Sequence, residues 1–219
     1  MNTTRSLVAA LASALATAAL LPAFAQAAEP AAFPAQPLRL VVPAETGSRA
    51  DVLARVLAIG LSARLGQPVG VDNMADRARA FAAVAAAAPD GHTLLLGGES
   101  LLAGLAQPHA AYELKSYTPV ALATRSAQVP AAEFLPAAHA SATVPGTQGV
   151  LAPAGTPGAV VKRLHQAIAQ VLDDPTNRAS LGAAGFEVVA GSPAAYSAEL
   201  LRGLGSWTRI ARASAPLAP

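Results

Sequence analysis

Cysteine is absent from the 219-residue sequence, and charged and aromatic residues are scarce. Without cysteine no disulfide framework can support the fold, so the packing of apolar side chains has to stabilise it. Aromatic residues make up 4% and the basic residues are scattered, which leaves neither a base-stacking platform nor a phosphate-binding patch for nucleic acid. Charged residues make up 13% and hydrophobic residues 53%, a composition that excludes a disordered or highly charged class.

Motifs of the common enzyme classes are absent as well. The sequence contains no GxSxG, HExxH, Walker A or GxGxxG pattern. The four histidines lie far apart in the sequence, and no carboxylate stands at ligand spacing from them. We therefore expect no enzyme activity, no cofactor and no metal.

The first residues have the order of a secretion signal. A single positive charge at Arg5 precedes an apolar run over 6–21, and small residues follow the run. The run is short and rich in alanine for a membrane span, which needs about 20 strongly apolar residues, although an uncleaved anchor is the alternative. The pattern predicts a signal peptide over 1–25, cleaved after Ala25, and a single exported α/β domain over 26–219.

Short apolar runs alternate with helical patterns in the first half of the chain. The runs at 38–42, 69–71 and 92–96 predict buried strands. Between the first two, apolar residues recur at helical spacing from Val52, and Asp51 stands where an N-cap belongs. The alternation predicts a parallel sheet covered by helices, with strand ends and helix starts brought to one edge.

The second half of the chain combines an unpatterned stretch with three helix starts. Residues 125–149 are rich in Ala, Pro, Ser and Thr and show no period, so we expect an irregular junction there. A capping residue followed by proline predicts a helix start at three places, Thr156-Pro157, Asp174-Pro175 and Ser192-Pro193.

The segment from Ala44 to Asp51 is the strongest candidate for a binding site. It runs from a strand end through a glycine turn to a helix start, where backbone N–H groups are free and the helix dipole favours an anion. A ligand carboxylate could bind there without a basic side chain, although a plain turn between strand and helix explains the same residues. The candidate binding residues of this segment are Ala44, Glu45, Thr46, Gly47, Ser48 and Asp51.

A series of short motifs extends over most of the chain after the leader. The motifs are PLRLVVP at 37–43, LSARLGQPV at 61–69, VDN at 71–73, APDGHTLLLG at 88–97, YTPVAL at 117–122, LAPAGTP at 151–157 and a closing helix with Trp207. In this order they resemble the Bug/TctC family, the periplasmic solute receptors of tripartite tricarboxylate transporters.

The resemblance implies a fold and a function. The fold would be the first lobe of a type II periplasmic binding protein, with a parallel-rich sheet flanked by helices. The function would be that of a periplasmic receptor for a small carboxylate-bearing solute, working with the membrane subunits of a transporter and not with nucleic acid. The resemblance also adds Asn73 to the candidate binding residues.

The sequence departs from the family pattern in three places. Ala44 and Ala50 stand where the first loop of the family has an aromatic residue and a Ser or Thr, and residues 74–79 contain no glycine. Residues 125–149 take the place of most of the second lobe. With that lobe missing, we expect citrate, succinate, aspartate and glutamate to bind more weakly than about 1 mM. A degenerate non-binding remnant, or a protein-interaction module of the same family, is the alternative function.

Overall fold

Three stretches of the chain are described by the computed structural model, residues 33–108, 110–135 and 142–213. The signal peptide predicted over 1–25 lies outside them. The strands are β1 (Leu38–Val42), β2 (Val69–Asn73), β3 (Thr93–Gly98), β4 (Tyr117–Pro130), β5 (Thr143–Pro153) and β6 (Glu187–Gly191). The α-helices are α1 (Arg49–Leu65), α2 (Arg77–Ala85), α3 (Glu99–Leu105), α4 (Gly158–Asp173), α5 (Pro175–Ala183) and α6 (Pro193–Ala213). None of the helices in these stretches is long and apolar enough to cross a membrane.

The strands form one mixed sheet in the order β2-β1-β3-β5-β4-β6. Strand β1 pairs in parallel with β2 and with β3, as the alternation of strands and helices predicts. Strand β5 is antiparallel to β3 and β4, and β4 is antiparallel to β6. The predicted α/β class with a helix-flanked sheet is confirmed, and the parallel part is confined to the first three strands.

Helices cover both faces of the sheet, which explains the unbroken apolar runs of the strands. In β3, Leu94 and Leu96 pack on the face that carries α1 and α4, whereas Leu95 packs on the face that carries α3 and α6. All three side chains are buried. A strand buried on both faces needs apolar residues at every position, because successive side chains point to opposite faces.

Residues 125–149 contain most of a β-hairpin, so the irregular junction predicted there is wrong as secondary structure. Strands β4 and β5 pair antiparallel from Tyr117 opposite Pro153 to Pro130 opposite Thr143. The ladder contains three register shifts. Each shift places an extra residue on one strand and reverses which side chains face the core, so the sequence shows no period of two.

The helix starts agree with the sequence at two of the three proline sites. Asp174 and Ser192 accept backbone N–H bonds in the first turns of α5 and α6, as expected for N-caps. At the third site α4 begins one residue later, at Gly158, and Pro157 occupies the N-cap position. The Thr156 hydroxyl instead donates to the carbonyl oxygen of Pro153 (2.8 Å).

Candidate functional site: a cavity at the edge of the sheet

The loop between β1 and α1 is held together by its own hydrogen bonds. Gly47 N–H donates to Asp51 Oδ2 (2.9 Å), and Ser48 N–H donates to the carbonyl oxygen of Glu45 (3.2 Å). Ser48, not Asp51, is the N-cap, because its Oγ accepts from Asp51 N–H and the helix begins at Arg49. Gly47 has a φ of 83°, a conformation that favours glycine. The N–H groups of Gly47 and Ser48 are therefore engaged within the loop, contrary to the expectation that they are free for a ligand.

The side chains of Asp51 and Asn73 form hydrogen bonds that hold the backbone of this loop in place. The Asp51 side chain is buried, and its Oδ2 also accepts from Arg55 Nε (2.9 Å). The hydrogen bond from Arg55 lowers the pKa of Asp51 against the opposing effect of burial, with further lowering by Gly47 N–H and Asn73. Asn73 Nδ2 donates to the carbonyl oxygen of Ala44 (3.3 Å). Both residues thus fix the path of the backbone.

Two N–H groups remain at the start of α1. Among the described residues, no acceptor is found for the backbone N–H groups of Arg49 and Ala50. The first N–H groups of a helix have no partner within the helix, and the positive end of the helix dipole lies there. Helix α1 is 17 residues long, so its start is a favourable place for an anionic group.

A cavity of about 400 Å³ opens in front of this helix start. Ligand cavities in proteins measure about 300–1,000 Å³, so a small organic acid fits. The lining residues from the loops and helix starts after β1 and β2 are Pro43, Ala44, Glu45, Ser48, Arg49, Ala50, Ala75 and Arg77. Those from the end of β3, the start of α3 and the β4–β5 region are Leu96, Gly97, Gly98, Glu99, Ser100, Ser126, Val129, Glu133, Phe134 and Gln148, and Phe186 completes the lining.

Both arginines of the cavity are fixed by neighbours. The Arg49 guanidinium lies 4.5 Å from the centre of the Phe186 ring and donates to the carbonyl oxygen of Gly185 (3.0 Å). The Arg77 guanidinium lies 5.0 Å from the centre of the Phe134 ring and donates to the carbonyl oxygen of Glu133 (3.3 Å). Stacking on an aromatic face holds a guanidinium in place while its outer N–H groups stay available.

Glu99 is the most unusual residue of the cavity. It follows β3 directly and is only 5% exposed, and no described residue hydrogen-bonds to its Oε1. Burial raises the pKa of Glu99 to about 8. Gln148 lies opposite Gly98 in the β3–β5 pairing, and its Oε1 is likewise buried without a partner among the described residues. Buried polar oxygens without a hydrogen-bond partner are rare in folded proteins.

Glycine at position 98 allows β5 to approach the end of β3. A Cβ atom on Gly98 would lie 2.1 Å from the carbonyl oxygen of Thr147, which is backbone and cannot turn away. The Tyr196 hydroxyl, from α6, donates to the carbonyl oxygen of Gly97 (2.8 Å) beneath the cavity. These contacts fix the backbone that carries Glu99.

The structure brings three of the seven sequence-predicted site residues to the cavity. Ala44, Glu45 and Ser48 line it, whereas Thr46, Gly47, Asp51 and Asn73 do not. Glu99 was not among the predicted site residues. It follows the third parallel strand, however, and such a residue lies at the same edge of the sheet as the predicted loop. Gln148 and Phe134 could not be found, because they come from the segment with no pattern.

Comparison with known proteins finds a matching family model and several similar sequences. A family model described as the tripartite tricarboxylate transporter family receptor, TctC, matches residues 113–212. A UPF0065 protein of Bordetella pertussis is 44% identical over 70 residues, which cover 31% of this chain and 22% of that protein. Protein BugT of the same organism is 42% identical over 96 residues, covering 41% of this chain and 29% of that protein. The matched regions thus span less than a third of the length of either relative.

A solved structure has the same fold. MatC from Rhodopseudomonas palustris with bound malate superposes with a TM-score of 0.72 and 20% identity, covering 82% of this chain and 100% of that chain. At this identity the likeness concerns the fold alone. The family model and the Bordetella relatives add a similarity in sequence, so the chain is similar in sequence and in fold to the Bug/TctC family of tripartite tricarboxylate transporter receptors.

Proposed function

We propose that the protein is a periplasmic receptor that binds a small carboxylate-bearing solute in the cavity in front of α1, for delivery to transporter membrane subunits. The observation that carries the proposal is the pair of N–H groups at Arg49 and Ala50, which have no acceptor in the described part of the chain and begin a long helix beside a cavity of about 400 Å³. Two N–H donors at a positive helix end suit the two oxygens of a carboxylate. The malate in MatC, a protein of the same fold, supports this ligand class.

Hydrogen bonds within the loop hold these two N–H donors in position before a ligand binds. Gly47, Ser48 and Asp51 hold one another, so the ligand does not have to order the loop when it binds. Ordering a loop on binding costs free energy, and a loop that is already ordered avoids that cost. The β4–β5 hairpin, where the sequence predicted an irregular junction, supplies part of the cavity lining through Ser126, Val129 and Gln148.

A matched pair of variants isolates the helix N–H contribution. Arg49→Ala removes the side chain and keeps the N–H, whereas Arg49→Pro removes both. Proline fits the first helical position, and the preceding Ser48 is extended (ψ 164°), as a residue before proline needs to be. Titration calorimetry with malate should show affinity lower by about tenfold or more in Arg49→Pro than in Arg49→Ala, as for a lost hydrogen bond to a charged group.

Two results would reject the proposal. Equal affinities of the two variants would mean that the helix start does not contact the ligand. Absence of any heat with malate, succinate and citrate at millimolar concentration would favour the non-binding remnant or the protein-interaction module.

A further inference from the structure

We propose that Glu99 is a proton-dependent latch: as a neutral acid it donates the hydrogen bond that joins the start of α3 to Gln148 of the β4–β5 hairpin, and loss of its proton breaks that bond. The inference concerns the wall of the cavity and does not depend on which solute binds there. It follows from the burial of the two side chains, from their hydrogen-bonding state and from the groups around them.

The two unpaired oxygens of the wall cannot be satisfied from outside. Glu99 Oε1 and Gln148 Oε1 have virtually no accessible surface, so neither solvent nor a solute in the cavity reaches them, and no described residue donates to either. A carboxylate only accepts hydrogen bonds, whereas a neutral carboxyl group also carries an O–H donor. One proton on Glu99 Oε1 turns that atom into a donor and gives Gln148 Oε1 its partner.

The sheet brings Glu99 and Gln148 to one corner. Gln148 lies opposite Gly98 in the antiparallel pairing of β3 and β5, and Glu99 follows Gly98 as the first residue of α3. The two strands approach closely here, because a Cβ atom on Gly98 would lie 2.1 Å from the carbonyl oxygen of Thr147. Both side chains line the same cavity. A hydrogen bond between them would tie α3 to the hairpin.

The surroundings of Glu99 favour the neutral acid. The side chain is buried, and none of the ion pairs in the described part of the chain includes it. The guanidinium of Arg49 acts on it from the start of α1 but is bonded to Gly185 and stacked on Phe186. Tyr196 acts on it from α6, and the pKa of Tyr196 is raised by burial and by the charge of Glu99. A carboxyl group buried without an ion pair takes up a proton rather than stay charged.

The pKa of Glu99 agrees with this geometry. Burial is the main cause that raises it to about 8, and the charge of Glu133, which follows β4, raises it further. The backbone N–H of Glu99, the Thr147 side chain and the charge of Arg49 act in the opposite direction. The carboxyl group is therefore mostly protonated at pH 7 in the folded protein.

The latch gives the fold a pH dependence of a definite sign. The pKa of Glu99 is about 8 in the folded protein against an ordinary value of 4.5, so between these values the folded protein holds a proton that the unfolded chain has lost. The stabilisation by the neutral acid is complete below the lower value and is lost as the pH rises toward the higher one. The unfolding constant rises about tenfold per pH unit in this window and levels off above it. An ionised Glu99 regains water by turning toward the cavity, which separates it from Gln148.

Glu99→Gln tests the latch, because the amide has the size of the neutral acid, keeps a donor and does not titrate. Urea unfolding followed by circular dichroism compares the two full chains at pH 5.5 and pH 7.5. The unfolding constant of the natural protein, relative to that of the variant, should rise by at least about thirtyfold between these pH values. Hydrogen exchange in α3, corrected for the intrinsic rate, should become faster from pH 6 to pH 8 in the natural protein and not in the variant.

Two further variants separate the acid from its partner. Glu45→Gln is the matched control, a carboxyl group of the same cavity in an exposed position, and should keep the pH profile of the natural protein. Gln148→Met removes the acceptor at similar length. The neutral acid then loses its hydrogen bond, so the pKa of Glu99 falls and the profile should level off at a lower pH.

Three results would overturn the inference. A ratio of unfolding constants between the natural and Glu99→Gln proteins that stays within about threefold from pH 5.5 to pH 7.5 would mean that Gln148 donates through its amide to an ionised Glu99. A Glu99→Gln protein that does not fold would contradict it too, because a mimic of the neutral acid has to be tolerated. A Gln148→Met profile identical to that of the natural protein would show that the proton is not donated to Gln148.

Discussion

Replacement of Asp51 by asparagine tests whether the loop after β1 is held as rigidly as its hydrogen bonds indicate. The side chain is only 2% exposed and accepts from Gly47 N–H and from Arg55 Nε, each at 2.9 Å. Asparagine has nearly the same volume, so the change creates no cavity; it removes the charge and replaces one carboxylate oxygen by an amide nitrogen. A hydrogen bond to a charged group is worth about 1.5–3 kcal/mol, so we expect the free energy of unfolding to fall by that amount at pH 7.

Urea unfolding followed by circular dichroism measures the difference, which should show as a lower midpoint with an unchanged slope. The pKa of Asp51 is lowered below its ordinary 3.8 in the folded protein, so its carboxylate stabilises the fold above the unfolded-state pKa. That contribution is lost as the pH falls through the folded-state pKa, so the natural protein and the variant should converge in acid.

The control is Arg55→Gln, which removes only the half-exposed partner of Asp51 and should cost distinctly less stability. A stability of Asp51→Asn within about 0.5 kcal/mol of the natural protein at pH 7 would refute the reasoning, because surface substitutions without a structural role fall in that range. A difference that stayed constant into acid would refute it as well, since the charge could not be its cause.

Two further changes test the scaffold beneath the cavity. Gly98→Ala should reduce stability by about 1–3 kcal/mol in urea unfolding, because its Cβ would lie 2.1 Å from the carbonyl oxygen of Thr147; stability equal to that of the natural protein would contradict this close approach. Trp207→Ala should cost about 3–5 kcal/mol, because the ring is 1% exposed and meets the Phe134 ring edge-on at 5.7 Å, and the more conservative Trp207→Phe should recover part of that loss; an unchanged melting temperature in Trp207→Ala would show that α6 does not support the hairpin wall.

The parts of the fold that depend on local pattern could be predicted from the sequence. Strands β1 and β3 are runs of apolar residues because helices cover both faces of the sheet, and a run of that kind is visible in the sequence without any neighbour. Asp174 and Ser192 cap helices whose first residue is proline. The capping side chain and the proline that follows it both favour a helix start, so this pattern is local.

The parts that depend on partners distant in the chain could not be predicted. Ser48 and Asp51 are both good capping residues, and the sequence does not show that the Asp51 side chain is buried and accepts from Gly47 and Arg55, which leaves Ser48 as the cap. The three register shifts between β4 and β5 interrupt the alternation of inward and outward side chains by which a hairpin is recognised in a sequence. The role of Glu99 depends on burial by β5 and α6, which nothing near position 99 reveals.

The continuity of the sheet has a consequence for how a bound solute can be detected. Receptors with two separate lobes signal occupancy by a hinge rotation that brings the lobes together. In this protein the end of β3 and the β4–β5 hairpin are joined by backbone hydrogen bonds in one sheet, so the walls that they form cannot swing independently. Under the proposed function, a membrane partner would therefore sense occupancy through the charge and the side-chain positions at the cavity rim, where Glu45 and Arg49 are exposed, and not through a rotation of these two walls against each other.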